Sequence, residues 1–93
     1  CLMHIPAFKD NTTWYAQNWV NENFVPILNE AGVNAMFSGH IHKHLVVKAG
    51  HSGNNFPIIC SSNKERFIVS SDCKTITVKA YDTEGRFTNS YPF

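Results

Sequence analysis

Phe37-Ser38-Gly39-His40-Ile41-His42-Lys43-His44 is the stretch on which the reading of this chain turns. A mostly apolar run, Val33 to Phe37, leads into it and reads as a buried strand. Three histidines follow at alternating positions, and Gly39 stands where the strand should end and the backbone can turn without a Cβ clash. Side chains two apart on an extended segment point the same way, so His40 and His42 are expected to present their imidazoles in one direction. A strand that delivers imidazoles to its own end is one means of holding a metal ion. A His-x-His by itself is more often a solvated strand end, so the remaining sequence has to supply the reason to read a site here.

Upstream, Cys1 to Ile5 is short and apolar, and Pro6 follows it. Proline cannot donate to a ladder, so this segment reads as the end of a strand with His4 near its carboxyl end. Ala7 to Thr13 carries polar turn residues and reads as an excursion loop. Trp14, Tyr15 and Trp19 suggest a loop or irregular helix to about residue 22. Val20, Phe24, Ile27, Leu28 and Ala31 fit one helical face. Pro26 is best accommodated in the first turn of a short helix capped by Asn23. Gly32 then ends that helix as a left-handed cap and leads into the strand Val33 to Ser38. A strand–helix–strand unit of this length places its two strands parallel and adjacent. His4 and the His40/His42 pair would then lie together at the carboxyl ends of parallel strands, where ligands bind in open α/β sheets.

Downstream the pattern becomes all-β. Strands are expected over Leu45–Lys48, Phe56–Cys60, Arg66–Ser70, Thr75–Tyr81 and Arg86–Ser90, the last an edge strand with Tyr91-Pro92-Phe93 as a tail. In Thr75 to Tyr81 the alternation points Ile76, Val78 and Ala80 inward and Thr75, Thr77 and Lys79 outward. Ser71-Asp72-Cys73-Lys74 and Asp82-Thr83-Glu84-Gly85 are turns, the second with glycine where positive φ is needed. The fold class expected is α/β: a strand–helix–strand unit in 1–44, then a β-rich second sheet in 45–93.

Ninety-three residues make one small domain at most. Eight basic against seven acidic residues give a net charge of +1, with no run of like charge and so no electrostatic case for nucleic acid or an anionic membrane. No apolar stretch is long enough to span a bilayer and no secretory signal is present. Cys1, Cys60 and Cys73 lack the Cys-x-x-Cys pairing of a zinc knuckle and are too few and too scattered for a disulfide framework. Cys60 is expected to be a small buried hydrophobe. The chain opens on Cys1-Leu2-Met3, already inside an apolar run, which reads as a partial domain cut within its first strand.

Neutral imidazole suits zinc, iron, manganese or nickel. Three histidines do not complete a centre with two metal ions, which needs carboxylates to bridge and to balance charge. None of Asp10, Glu22, Glu30, Glu65, Asp72, Asp82 and Glu84 is expected at a strand end facing the histidines. Two other readings stay open on the residues alone. One is a small β-rich binding or interaction module whose histidines are not ligands. The other is a self-contained zinc site of three histidines.

Met3-His4-Ile5-Pro6 and Ser38-Gly39-His40-Ile41-His42 resemble the last two metal-binding motifs of the calcineurin-like metallophosphoesterases, a strand ending in His-x-Pro and, after a helix, a strand ending in Gly-His-x-His. The resemblance runs from Leu2 to about Tyr81 and is least specific after Gly50. It implies the carboxyl-terminal half of an α/β/β/α sandwich from a hydrolase of phosphate esters that works with two divalent metal ions. By position, His4 and His40 would ligate the second metal and His42 the first. In that family a hydroxide bridging the ions attacks phosphorus in line. The family's earlier motifs, which carry Asp-x-His, a bridging Asp and Gly-Asn-His, are not in this sequence. The resemblance therefore implies a fragment with an incomplete centre, weak metal binding and little or no hydrolysis by itself. His44 stands where many members carry an aromatic residue, and His44 and His51 are expected to be structural or solvated. Trp14 and Trp19 are candidates to line a substrate cleft, Phe8 to pack at its rim and Lys43 to lie near a phosphate. Strand edges left open by truncation are expected to drive self-association.

Overall fold

The computed structural model of the protein describes residues 1–10 and 14–93; the part of the expected excursion loop at 11–13 lies outside them. Among the described residues one helix, α1 (Tyr15–Glu30), precedes six strands: β1 (Met36–Ser38), β2 (Leu45–Val47), β3 (Ile58–Cys60), β4 (Glu65–Ser71), β5 (Ile76–Asp82) and β6 (Phe87–Pro92).

The helix forms because Gln17, Val20, Phe24, Val25 and Leu28 make a buried or half-buried stripe at helical spacing. Burying Val20 and Val25 contributes about 2 kcal/mol each. This corrects the expected short helix from Asn23. Asn23 is not a cap; its Nδ2 donates to the Trp19 carbonyl at 2.8 Å. Pro26 sits inside the helix rather than in its first turn. It is tolerated because it lies on the exposed side with Glu22, the residue whose carbonyl loses its usual helical donor. Ile27 is 61% exposed and Ala31 is exposed as well, so neither belongs to the buried stripe. The carboxyl end is as expected. Gly32 has φ 70, its N–H donates to Asn29 O at 3.1 Å, and the Val33 N–H donates to Leu28 O at 3.2 Å. These are the paired bonds of a Schellman closure.

The strand at Cys1–Ile5 is reduced to one bridge, Leu2 opposite Phe37, but it is parallel to β1 and adjacent to it. The Met3 N–H donates to Phe37 O at 3.0 Å and the Phe37 N–H to Cys1 O at 2.9 Å. The expectation of a β-rich second sheet over all of 45–93 is corrected. β2 and β3 join β1 in a sheet of order β1-β3-β2, with β3 parallel to β1 and antiparallel to β2. Only β4, β5 and β6 form the second sheet, an antiparallel meander. Tyr91 and Pro92 belong to β6 rather than to a tail, and proline is allowed there because the strand lies on an edge.

Alternation along the strands of the first sheet sorts its side chains into two cores. Met36, Ile58 and Cys60 pack with Val20 and Val25 on the helix side. Ile59, with Phe37 and Val46, packs on Val78, Phe67, Ile76 and Tyr91 of the second sheet. All three residues of β3 are therefore fully buried, as befits a strand covered on both faces. The layers run helix, mixed sheet, antiparallel sheet, and the His4 and His40 segments emerge at one end of the middle layer.

Candidate metal centre

His4 leaves the bridge with Leu2, and its carbonyl accepts the Gly39 N–H at 3.1 Å, so the two histidine segments are tied at the backbone. Pro6, Ala7 and Phe8, which follow His4, are buried. Polar side chains of α1 hold them. Gln17 Nε2 donates to Phe8 O at 2.9 Å, and Asn21 Nδ2 donates to Ala7 O at 2.7 Å and to Ser52 O at 2.9 Å. That is why Gln17 is buried on an otherwise apolar stripe: its amide has a partner.

β1 ends at Ser38, and residues 39–44 are not extended. The alternation argument for His40 and His42 is therefore corrected, since it held only for a continuing strand. The left-handed positions are His40 (φ 67) and His42 (φ 56), not Gly39. The Ile41 N–H donates to Gly39 O at 2.8 Å, closing a three-residue turn with His40 at its apex. Positive φ at the centre makes this the rarer, strained form of γ-turn. Non-glycine residues held this way collect at functional sites.

The turn brings His40 Nδ1 to 3.0 Å from His4 Nε2, with ring centroids 4.9 Å apart and planes at 79°. Trp14 stacks on His40 at 5.1 Å and 20°. Two nitrogens bound to one ion at about 2.1 Å and near a right angle lie about 3 Å apart, so the pair fits two adjacent positions around a divalent cation. The same spacing suits one ring N–H donating to the other ring's nitrogen. Among the described residues no three His, Cys, Asp or Glu side chains gather where they could hold an ion. His42 is exposed and does not join the pair. Several acids are engaged elsewhere: Glu22 with Lys9, Glu65 with His44, and Asp82 and Glu84 with Arg86.

Phe8, Asp10, Trp14, Gln17, Ile41, Lys43 and Leu45 line a cleft of about 260 Å³ beside the pair. Trp14, Phe8 and Lys43 thus share one wall system, while Trp19 packs against Phe24 on the helix instead. His4 also borders a shallower groove of about 410 Å³, shared with Leu2, Phe37, Ser61 and Phe67. His51 is exposed in the loop before β3. Sequence reasoning set Trp14 and Trp19 equal; nothing in spacing alone could separate them, because the stacking partner of Trp14 is 26 residues away in the chain. It also missed Glu65 and Tyr91, both of which bond His44.

No protein-family model matches this chain, and a search of curated proteins finds no similar sequence.

Proposed function

We propose that this chain is a carboxyl-terminal portion of a calcineurin-like metallophosphoesterase, that it serves the hydrolysis of a phosphate ester, and that His4, His40 and His42 are its metal ligands. The observation that carries the reading is the 3.0 Å approach of His4 Nε2 and His40 Nδ1 from two adjacent parallel segments. These are two of the three residues that the His-x-Pro and Gly-His-x-His motifs single out.

Divalent ions at such a centre would supply an activated hydroxide and neutralise charge on the phosphoryl oxygens. The chain's own residues do the rest. His4 Nε2 and His40 Nδ1 lie at the spacing of two adjacent ligands, and neutral imidazole suits zinc, iron, manganese or nickel. Trp14 covers one face of His40 and restricts its rotation. His42 stands free on the exposed turn, where a different ion could take it. Lys43 lies on the neighbouring cleft together with Asp10, so that cleft carries one charge of each sign.

Calorimetry with Zn²⁺ or Mn²⁺ tests this. Wild type is expected to bind weakly, and His4→Ala and His40→Ala to lose about tenfold or more in affinity. Hydrolysis of p-nitrophenyl phosphate by this chain alone is expected to be negligible, since no carboxylate among the described residues joins the pair. Equal heats from wild type and both variants would sink the reading.

A further inference from the structure

The turn that carries His40 is fixed at three points. At its start the Gly39 N–H bonds the His4 carbonyl. In its middle Ile41 packs on the helix-side core. At its end His44 crosses to the second sheet. His44 Nδ1 lies 2.9 Å from both carboxylate oxygens of Glu65, and His44 Nε2 lies 2.6 Å from the Tyr91 hydroxyl. The ring also meets Phe67 edge-on, with centroids 5.7 Å apart at 86°.

These three partners share the inner face of the second sheet. Phe67 is opposite Ala80 and Tyr91 opposite Val78, and both Ala80 and Val78 are fully buried. Glu65 is two residues from Phe67 and so lies on the same face. Its carboxylate is itself fixed, because Oε1 accepts the Ser62 N–H at 2.7 Å. A neutral His44 with its proton on Nδ1 satisfies every group: Nδ1–H donates to Glu65, and the Tyr91 O–H donates to Nε2. The bond to the carboxylate is charge-assisted and among the stronger kinds.

Left-handed backbone at His40 and His42 is unfavourable for residues that carry a Cβ, and persists only where the surroundings over-determine it. The anchors at Gly39 and Ile41 fix only the near side of this turn. We infer that His44, Glu65 and Tyr91 form a positioning tie, which closes the far side, keeps residues 39–44 in their left-handed course, and so holds His40 Nδ1 against His4 Nε2. The second sheet, which lends Phe67 to the groove beside His4, thereby sets the geometry of a pair of rings that lies outside it. The consequence for metal affinity rests on the function proposed above; the consequence for the His40 ring does not.

The experiment uses the full chain with Tyr91→Phe, Glu65→Ala and the double substitution. Tyr91→Phe removes one hydroxyl and leaves the ring packed, so it carries the test by itself if the double variant fails to fold. In the metal-free protein the stacked Trp14 should displace the ring-proton resonances of His40 through its ring current. Loss of the tie is expected to move those resonances toward free histidine, while circular dichroism and cooperative unfolding persist. Zn²⁺ or Mn²⁺ affinity should fall about tenfold in the double variant. Glu65→Gln keeps an acceptor for Nδ1–H and should restore both readouts in part. Phe87→Ala removes a ring contact with Tyr81 from the second sheet, away from Phe67, Tyr91 and His44, and should lower the melting temperature and leave the His40 resonances in place. A folded double variant with unchanged His40 resonances would overturn the tie, as would a Phe87→Ala variant that shifts them equally. If wild type binds neither metal while the resonances respond as described, the tie stands and the phosphoesterase reading falls.

Discussion

His40 and His42 both occupy backbone that glycine would adopt more readily, but they differ in what holds them there. His40 has a ring partner on each side, in His4 and Trp14. His42 is exposed at φ 56. Relieving a left-handed residue by glycine is worth about 1 kcal/mol where the side chain makes no contact to lose. His42→Gly is therefore expected to raise the stability of the metal-free chain by about that amount in chemical denaturation. A clear loss would show that the His42 ring has a partner. Cysteine gives a second expectation at this scale. Burial pushes the Cys60 thiol up to about 12, while Cys1 and Cys73 are exposed. Its folded pKa lies above its ordinary value of 9.0, so its contribution to stability is complete below pH 9 and is lost as pH rises toward 12. Two thiols should react with a maleimide in the native state and the third only on unfolding; rapid reaction of all three would contradict the burial of β3. The sequence made Cys60 legible as a buried residue because it ends an apolar run. It could not make the left-handed histidines legible, because His40 takes the conformation that Gly39 beside it appeared placed to take.

At the scale of elements, turns and ends were easier to read than middles. Gly32 marked the end of α1 correctly, since a left-handed Schellman closure is a local event that one residue type dominates. A Cβ at Gly32 would meet nothing within 4 Å. Gly32→Ala should therefore cost about 1 kcal/mol from backbone conformation alone, seen as a lower denaturation midpoint with an unchanged slope. A neutral result would argue against the closure. The start of the helix was misread for an equally physical reason. Trp14 is an N-cap without a side-chain cap bond, and Gln17 and Asn21 look polar and exposed until Phe8, Ala7 and Ser52 supply their partners. The two hairpin turns follow local chemistry. Asp72 Oδ1 accepts the Thr75 and Lys74 N–H groups, and these bonds hold its carboxyl below the ordinary carboxylate range. Asp82 is lowered in the same sense, first by the Arg86 N–H and then by the Arg86 guanidinium. A carboxyl depressed in the folded state contributes stability above its unfolded pKa, about 3.9, and loses it as pH falls through the folded value. Acid titration should thus weaken wild type below about pH 4 more steeply than Asp72→Asn/Asp82→Asn; parallel curves would remove these turns from the account.

At the scale of the whole molecule, the three layers follow from patterns visible in the chain, whereas sheet membership does not. β3 reads only as an apolar run, and nothing local says that it pairs with β1 across the sequence instead of with β4 beside it. Long-range pairing also decides which edges stay open. β4 is an outer strand of the second sheet, and its adjacent residues Ile68 and Val69 are 51% and 47% exposed, so both faces reach water at this edge. Adjacent lies a groove of about 360 Å³ lined by Cys1, Val33, Phe37, Val69 and Ile76 among others. Antiparallel pairing of β4 with β4 of a second copy, centred on Ile68, would set Phe67 opposite Val69, Arg66 opposite Ser70 and Lys64 opposite Asp72. Apolar side chains then face apolar ones, and the charges brought together, Lys64 and Asp72 in two symmetry-related pairs, have opposite signs. An isologous contact of this kind also closes at two copies rather than growing into a fibre. Sedimentation over a concentration series should therefore show a monomer–dimer equilibrium for wild type. Ile68→Lys, which sets two positive charges against each other at the symmetry axis, should be monomeric with the same circular dichroism. A wild type that stays monomeric throughout would mean that the exposed edge of β4 is kept apart by its own twist and charges, and that its apolar residues serve no self-pairing.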